Sequence, residues 1–378
     1  MSKLRVGFIG TGVIFDLNIL GYLEREDIEI SCLCNRTISK AQEKRDKFNL
    51  DANIPIYSDY DKMLDQEEID IVEILLPHHL HAEATIKAAK KSIKAISVQK
   101  PIATSLEEAD KMIDVCQESN SLLSVYENFI FAPHIQKAKE LIVNDYIGDI
   151  TSIRIKVAMA GKGGWNIPES ANEWRKSPQK VGGDPKKGSP ILLDNGWHAF
   201  TLAWWLIGGK IEKVFAWTGN YKGLDAPAYV MFKYKNGKDH VVPPYGNLEF
   251  ALMPEMEIPS DYYSTDEFIE IIGTRGMMKI NQGTAIGNQM TDSEVFSPIV
   301  VVRDGNVEEY SNFELENDWK SSFINATHYF INVVKKGGTP LLSGEQAKYI
   351  LKFNLAAIKS SETGSEIYLE NFNKHNFI

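Results

Sequence analysis

The chain has 378 residues, 43% of them hydrophobic and 24% charged, which suits two globular domains and not a disordered chain. Its net charge of −10 argues against a nucleic-acid partner, because phosphate binding calls for a basic face. The longest apolar runs, such as Ile71–Pro77 and Ala199–Ile207, fall short of the roughly 18 residues that span a bilayer, so no membrane association is expected.

From the N-terminus, Met1-Ser-Lys-Leu-Arg5 leads straight into a strand and lacks the apolar core of a signal peptide. Leu4–Gly10 reads as that strand, followed by a helical stretch through Leu23, a strand at Ile28–Cys34 and a helix at Ser39–Phe48. Ile71–Leu76 reads as a continuous apolar strand, then a helix from His79 to Lys90, a strand at Ala95–Val98 and a helix at Ser105–Glu118. Ser105 and Glu108 have the spacing of a capping box. Leu122–Val125 closes the series as a fifth strand. Apolar strands alternating with helices predict a doubly wound parallel sheet covered on both faces, over residues 1–125.

Beyond residue 126 the pattern changes. Ile150–Ala158, Ile211–Thr218, Ala228–Tyr234, Phe268–Gly273, Gly276–Ile280 and Ile299–Arg303 read as strands. Asn236-Gly237 and Asp304-Gly305 are hairpin signals. Helices are expected at Pro133–Asn144, Ile191–Ile207, Trp319–Lys336 and Ser343–Ser361. Residues 126–378 therefore predict an α+β domain with a large, mainly antiparallel sheet. Gly161–Ser189 has no periodicity, and a loop that long inside a domain is usually functional. Cys32, Cys34 and Cys116 form neither a disulfide framework nor a zinc set, so buried thiols in a reducing cytoplasm are expected.

The first strand ends in Gly10-Thr11-Gly12-Val13-Ile14, directly before a helix. In that context Gly10 permits a tight turn and Gly12 lets the backbone approach a pyrophosphate, so a dinucleotide site is expected there. The usual third glycine is Phe15; either the helix shifts or the ring points away from the strand. Asn35 closes the second strand where an acid would bind ribose hydroxyls. Arg36 beside it could pair with a 2′-phosphate or be a solvated loop cation, which leaves NAD and NADP both open. His78, His79 and His81 lack cysteine or acidic companions, so no metal is expected.

Taken together, Gly10-Thr-Gly12, Pro77-His-His-Leu-His81, Gln99-Lys100-Pro101, Asp194-Asn-Gly-Trp-His198 and the closing Ser360–Gly364 before Glu366-Ile-Tyr-Leu resemble the Gfo/Idh/MocA family. That family is named for glucose–fructose oxidoreductase and inositol dehydrogenase, and the likeness spans nearly the whole chain. It implies a Rossmann domain followed by a substrate and oligomerisation domain. Departures are Phe15 for a small residue, Asn35 for an acid, Gln99 for Glu and Thr201 for a second Asp.

The resemblance implies hydride transfer between NAD or NADP and a secondary hydroxyl or keto carbon of a sugar, polyol or glycoside, by a homodimer or homotetramer. His198 would be the acid/base and Asp194 its partner or a second substrate contact. Lys100 would bind the reacting hydroxyl near the nicotinamide, with Leu76, Pro77 and His81 also near the cofactor and Asn128 near both cofactor and substrate. Asp194 and His198 are four apart, which places them on one face of a continuous helix. Trp174 and Arg175, with Trp165, lie in the long loop, where they could bind substrate or pack the loop down; its size suggests a substrate larger than a monosaccharide. Two other readings use the same fold, a glycoside-cleaving lyase that oxidises transiently and a dinucleotide-binding transcriptional regulator.

Overall fold

A computed structural model shows six parallel strands in the N-terminal part: β1 (Leu4–Ile9), β2 (Ile28–Cys34), β3 (Ile56–Tyr57), β4 (Ile71–Ile74), β5 (Ala95–Gln99) and β6 (Leu122–Tyr126). Their order is β3-β2-β1-β4-β5-β6, the doubly wound arrangement in which strand order reverses between β1 and β4. The structure describes residues 3–164, 173–184, 186, 188–236, 242–258, 264–281, 297–315 and 318–373. Trp165 and Gly237 lie outside them. Two compact units result, one of Met1–Asn128, Glu169–Gly182 and Phe323–Leu351, the other of Phe129–Pro168, Gly183–Ser322 and Lys352–Ile378.

Burial of both faces explains why β4 and β5 read as apolar runs. One face is sealed by Phe8, Phe15, Ile19 and Tyr22 together with Phe330, Ile331 and Val334 from the helix Trp319–Lys336. The Phe15 ring does not point away from the strand. It is fully buried and meets Phe8 of β1 edge-on at 5.1 Å and Phe48 at 5.9 Å. The helical stretch that begins there is broken into Phe15–Asn18 and Leu20–Leu23. The apolar reading of Ile71–Leu76 also needs correction, because Glu73 stands in the middle of β4 with no exposed surface. The capping box at Ser105 forms in part. Ser105 Oγ accepts the Glu108 N–H at 3.2 Å, while the Glu108 carboxylate accepts from Thr104 rather than from Ser105.

The second unit holds a nine-stranded sheet: β7 (Ile150–Lys162), β8 (Ile211–Thr218), β9 (Ala228–Tyr234), β10 (Tyr245–Glu257), β11 (Thr265–Gly273), β12 (Gly276–Asn281), β13 (Ile299–Arg303), β14 (Asn306–Tyr310) and β15 (Ile367–Tyr368). The order is β14-β13-β12-β11-β7-β10-β9-β8-β15, antiparallel except where β7 pairs with β10. The long β10, which is not among the expected strands, lies next to β7 near the middle. Alternation gives the sheet two faces. Ile153, Ile155, Val230, Phe232, Leu248, Phe250, Ile269 and Ile271 are buried on one. Arg154, Met231, Asn247 and Glu270 form a row across the other. Gly246 is required in β10, since a Cβ there would come within 2.2 Å of the Phe232 ring. The inner face is covered by the apolar helix Trp197–Ile207, with Phe353 stacked edge-on between Phe200 at 4.7 Å and Phe232 at 5.1 Å. No helix among the described residues is long and apolar enough to cross a membrane.

Phe15→Ala should lower stability by about 3–5 kcal/mol, the usual cost of emptying a buried aromatic site. Urea melts followed by circular dichroism measure this, and a loss below about 1 kcal/mol would show that the ring does not hold the sheet.

Candidate active site

In the first unit the expected cofactor residues follow the ends of β1, β2, β4, β5 and β6. Gly10 has φ +99°, and a Cβ on it would stand 2.5 Å from the Leu75 carbonyl oxygen, so only glycine fits this approach. Its N–H donates to the Cys34 carbonyl at 2.8 Å. Gly12 is different: a Cβ there meets nothing within 4 Å. The chain then turns helical, with Phe15 N–H on the Gly12 carbonyl at 3.3 Å. Among the described residues, no hydrogen bond engages the backbone N–H groups of Gly12, Val13 and Ile14. An open cradle with three unengaged donors at the start of a helical turn fits a dinucleotide pyrophosphate.

Asn35 leans on this turn. Its amide donates to Thr11 Oγ1 at 2.8 Å, and its carbonyl accepts the Thr37 N–H at 2.9 Å. Arg36 is exposed beside it. Pro77 precedes a 3₁₀ turn, His78–Leu80, and His81 opens the next helix. His81 is wholly buried, with Nε2 2.7 Å from the Leu76 carbonyl oxygen and Nδ1 2.8 Å from that of Pro101. Burial pushes its pKa down to about 3, and a neutral ring can donate to only one of these carbonyls at a time. Lys100 is half-buried at the end of β5, its backbone N–H 3.2 Å from Gln99 Oε1, and Asn128 is buried after β6.

Part of the long loop also belongs to this unit. Trp174 packs edge-on against His78 with ring centroids 4.5 Å apart, and the Arg175 guanidinium lies over the Trp174 ring at 4.3 Å. His78 Nδ1 lies 3.0 Å from the Val181 carbonyl oxygen. Trp174 and Arg175 are thereby placed with His78 and His81. Among the described residues no three His, Cys, Asp or Glu side chains come together as a metal site.

Asp194 and His198 lie in the second unit, and the continuous helix expected there is absent. Pro190–Asn195 is a π-helical turn, closed by the Gly196 N–H on the Ile191 carbonyl five residues back at 2.6 Å. An α-helix starts only at Trp197. Asp194 is buried in the π turn and His198 is half-buried in the α-helix, so the spacing of four no longer describes one helix face. π turns of this kind often occur at functional sites. The His198 ring stacks on Phe129, centroids 3.9 Å apart and planes 21° from parallel. Thr201 turns its hydroxyl back onto the Trp197 carbonyl at 2.9 Å.

Two supporting residues carry no sequence signal of their own. The buried Asp225 carboxylate accepts the Ile191 and Leu192 N–H groups at 2.8 and 3.1 Å, capping the turn that bears Asp194. The Asn354 amide donates to the Leu192 carbonyl at 2.6 Å. N-cap preference is readable when the cap adjoins its helix, and Asp225 lies far along the chain.

Residues 4–127 match a family model described as an oxidoreductase family with an NAD-binding Rossmann fold, and residues 135–279 match the GFO/IDH/MocA C-terminal domain. The myo-inositol 2-dehydrogenase of Thermotoga maritima is 24% identical over 97% of this chain and 99% of its own. The D-glucoside 3-dehydrogenase of Escherichia coli is 23% identical over 97% and 98%. Among solved structures, a levoglucosan dehydrogenase in complex with NADH and levoglucosan superposes with a TM-score of 0.76 at 21% identity, covering 97% of this chain and 99% of that one.

Gly12→Asp puts a carboxylate into the open cradle and should abolish dinucleotide binding without loss of thermal stability. Gly10→Ala should destabilise the fold, because its Cβ meets backbone. NADH fluorescence titration and thermal melts separate the two, and parental binding by Gly12→Asp would refute the placement of the pyrophosphate.

Proposed function

The chain belongs to the Gfo/Idh/MocA oxidoreductase family, and on that premise we propose that it moves hydride between a nicotinamide cofactor and a secondary alcohol or keto carbon of a sugar, polyol or glycoside. The observation that carries this reading is the cradle at Gly12, open in front of three unengaged backbone donors at the strand-order reversal. The names of the relatives, which act on inositol, a glucoside and levoglucosan, support the substrate class.

A bound nicotinamide supplies the hydride acceptor or donor. The protein's own residues supply the rest. His198 takes the hydroxyl proton as the carbonyl forms and returns it in reduction, with the Phe129 ring holding its plane. Asp194 tunes or orients that imidazole, or contacts a second hydroxyl. Lys100 holds the developing alkoxide, a role that calls for a cation. Trp174 offers an aromatic face to a sugar, with Arg175 above it. Asn35 and Arg36 stand where the adenosine ribose would lie, so NADP is as acceptable as NAD.

The outer sheet face, with Trp217, Met231 and Tyr245 exposed, supports a homodimer or homotetramer. Cys32, Cys34 and Cys116 are free and buried, and burial pushes each thiol up to about 12; protonated thiols of this kind accord with a cytoplasmic setting.

His198→Ala and Lys100→Ala should each lower kcat by about 10²–10⁴-fold, the contribution of a positioned acid/base or charge-stabilising group, with less than additive losses together. Asp194→Asn should displace the pH dependence of kcat. Assays on myo-inositol, D-xylose, methyl β-glucoside and levoglucosan at 340 nm test this. Near-parental turnover by His198→Ala overturns the acid/base assignment, and dinucleotide binding without turnover of any substrate points instead to a regulator. Arg36→Ala should weaken NADP relative to NAD by about 1.5–3 kcal/mol, the scale of a charge-assisted hydrogen bond; equal losses by titration would show that Arg36 reads no phosphate.

A further inference from the structure

A carboxyl at the centre of a strand buried on both faces is strongly disfavoured unless donors satisfy it. Glu73 has three. The Tyr22 hydroxyl donates to Oε2 at 2.7 Å, and the Ser97 hydroxyl and Asn18 amide donate to Oε1 at 2.9 and 3.2 Å. Ser97 faces Glu73 directly across the β4–β5 ladder. Among the described residues no cation pairs with it. The series continues outward. Asn18 Oδ1 accepts the Gln99 amide at 3.1 Å, and Gln99 Oε1 accepts the backbone N–H of Lys100 at 3.2 Å. Every donor points the same way, from Lys100 toward Glu73.

Gln99 must accept and donate at once, which a carboxylate there could not do. The acid of this layer therefore sits on β4, two hydrogen-bonded amides away from Lys100. Resting on the role given to Lys100 above, we propose that Glu73 is a positioning residue for it, acting through Asn18 and Gln99, and that ionisation of Glu73 alters how Lys100 is held. An ionised acceptor strengthens the Asn18 bond and polarises the amides behind it. A protonated carboxyl brings its own O–H and makes one of the three donors turn away.

Burial raises the Glu73 pKa from 4.5 to about 8 although its three donors pull it down. The other titratable groups facing it, Tyr22 and Tyr126, are themselves raised well above 10 by burial and stay neutral. The fold favours the protonated form. Its contribution to stability is complete below about pH 4.5 and is lost as pH rises through about 8.

Selective ¹⁵N-lysine labelling reads the Lys100 amide directly, its signal identified by its absence from Lys100→Arg. In the parent this signal should shift with an inflection near pH 8; in Glu73→Gln, which keeps an acceptor but cannot ionise, it should stay flat. A flat parent, or the same inflection in Glu73→Gln, overturns the proposal. Gln99→Glu adds a second acid to the series and should lower kcat by about 10- to 100-fold in the parent, as a displaced catalytic group does. In Glu73→Gln the same change should cost less than about 3-fold, and equal losses in both backgrounds would show that the two positions are uncoupled. The amide titration uses no substrate. Parental turnover by Lys100→Ala would thus remove the role given to Lys100, while the titration still decides whether Glu73 reaches its backbone.

Discussion

The absence of a side chain at Gly10 lets β1 and β4 end side by side, with the Leu75 carbonyl occupying the place a Cβ would take. Several connections hang from that approach. Leu75 N–H reaches the Ile9 carbonyl, and the next carbonyl, Leu76, faces the His81 ring. That ring faces Pro101 on its other side, and Pro101 follows Lys100. The glycine turn, the end of β4 and the end of β5 thus form one connected backbone frame. Side chains that serve a reaction are held by such frames more firmly than by loops.

The first sheet was legible because parallel strands buried on both faces must be apolar along their length. The same rule hid Glu73, which breaks the pattern at one position and is tolerated only because Asn18, Tyr22 and Ser97 lie around it. Phe15 shows another limit. A glycine in the third position would let helix and strand approach, whereas the ring becomes part of the packing against Phe8. Residue identity shows that something must give, but not which element does.

In the second unit, strands rich in branched residues such as Ile299–Arg303 were readable from composition. β10 was not, since Gly246, Pro254 and the three glutamates Glu249, Glu255 and Glu257 mask the alternation of Leu248 and Phe250. The site at Asp194 and His198 was visible as two residues and a spacing, while its geometry was not. Asp225 and Asn354 satisfy the backbone of the π turn from distant parts of the chain, and such contacts leave no local periodicity. Together they hold a backbone that helical propensity alone would have continued as a regular helix.

The first unit is not contiguous: Phe330, Ile331 and Val334 help seal a sheet whose last strand ends at Tyr126. On a ribosome adding 5–20 residues per second, these residues emerge roughly 10–40 seconds after the sheet is complete. For that interval the apolar face around Phe8, Phe15 and Tyr22 lacks its final cover, a patch of the kind that chaperones bind and that promotes aggregation. The order of synthesis makes the dinucleotide-binding half of the chain the first to be made and among the last to be finished.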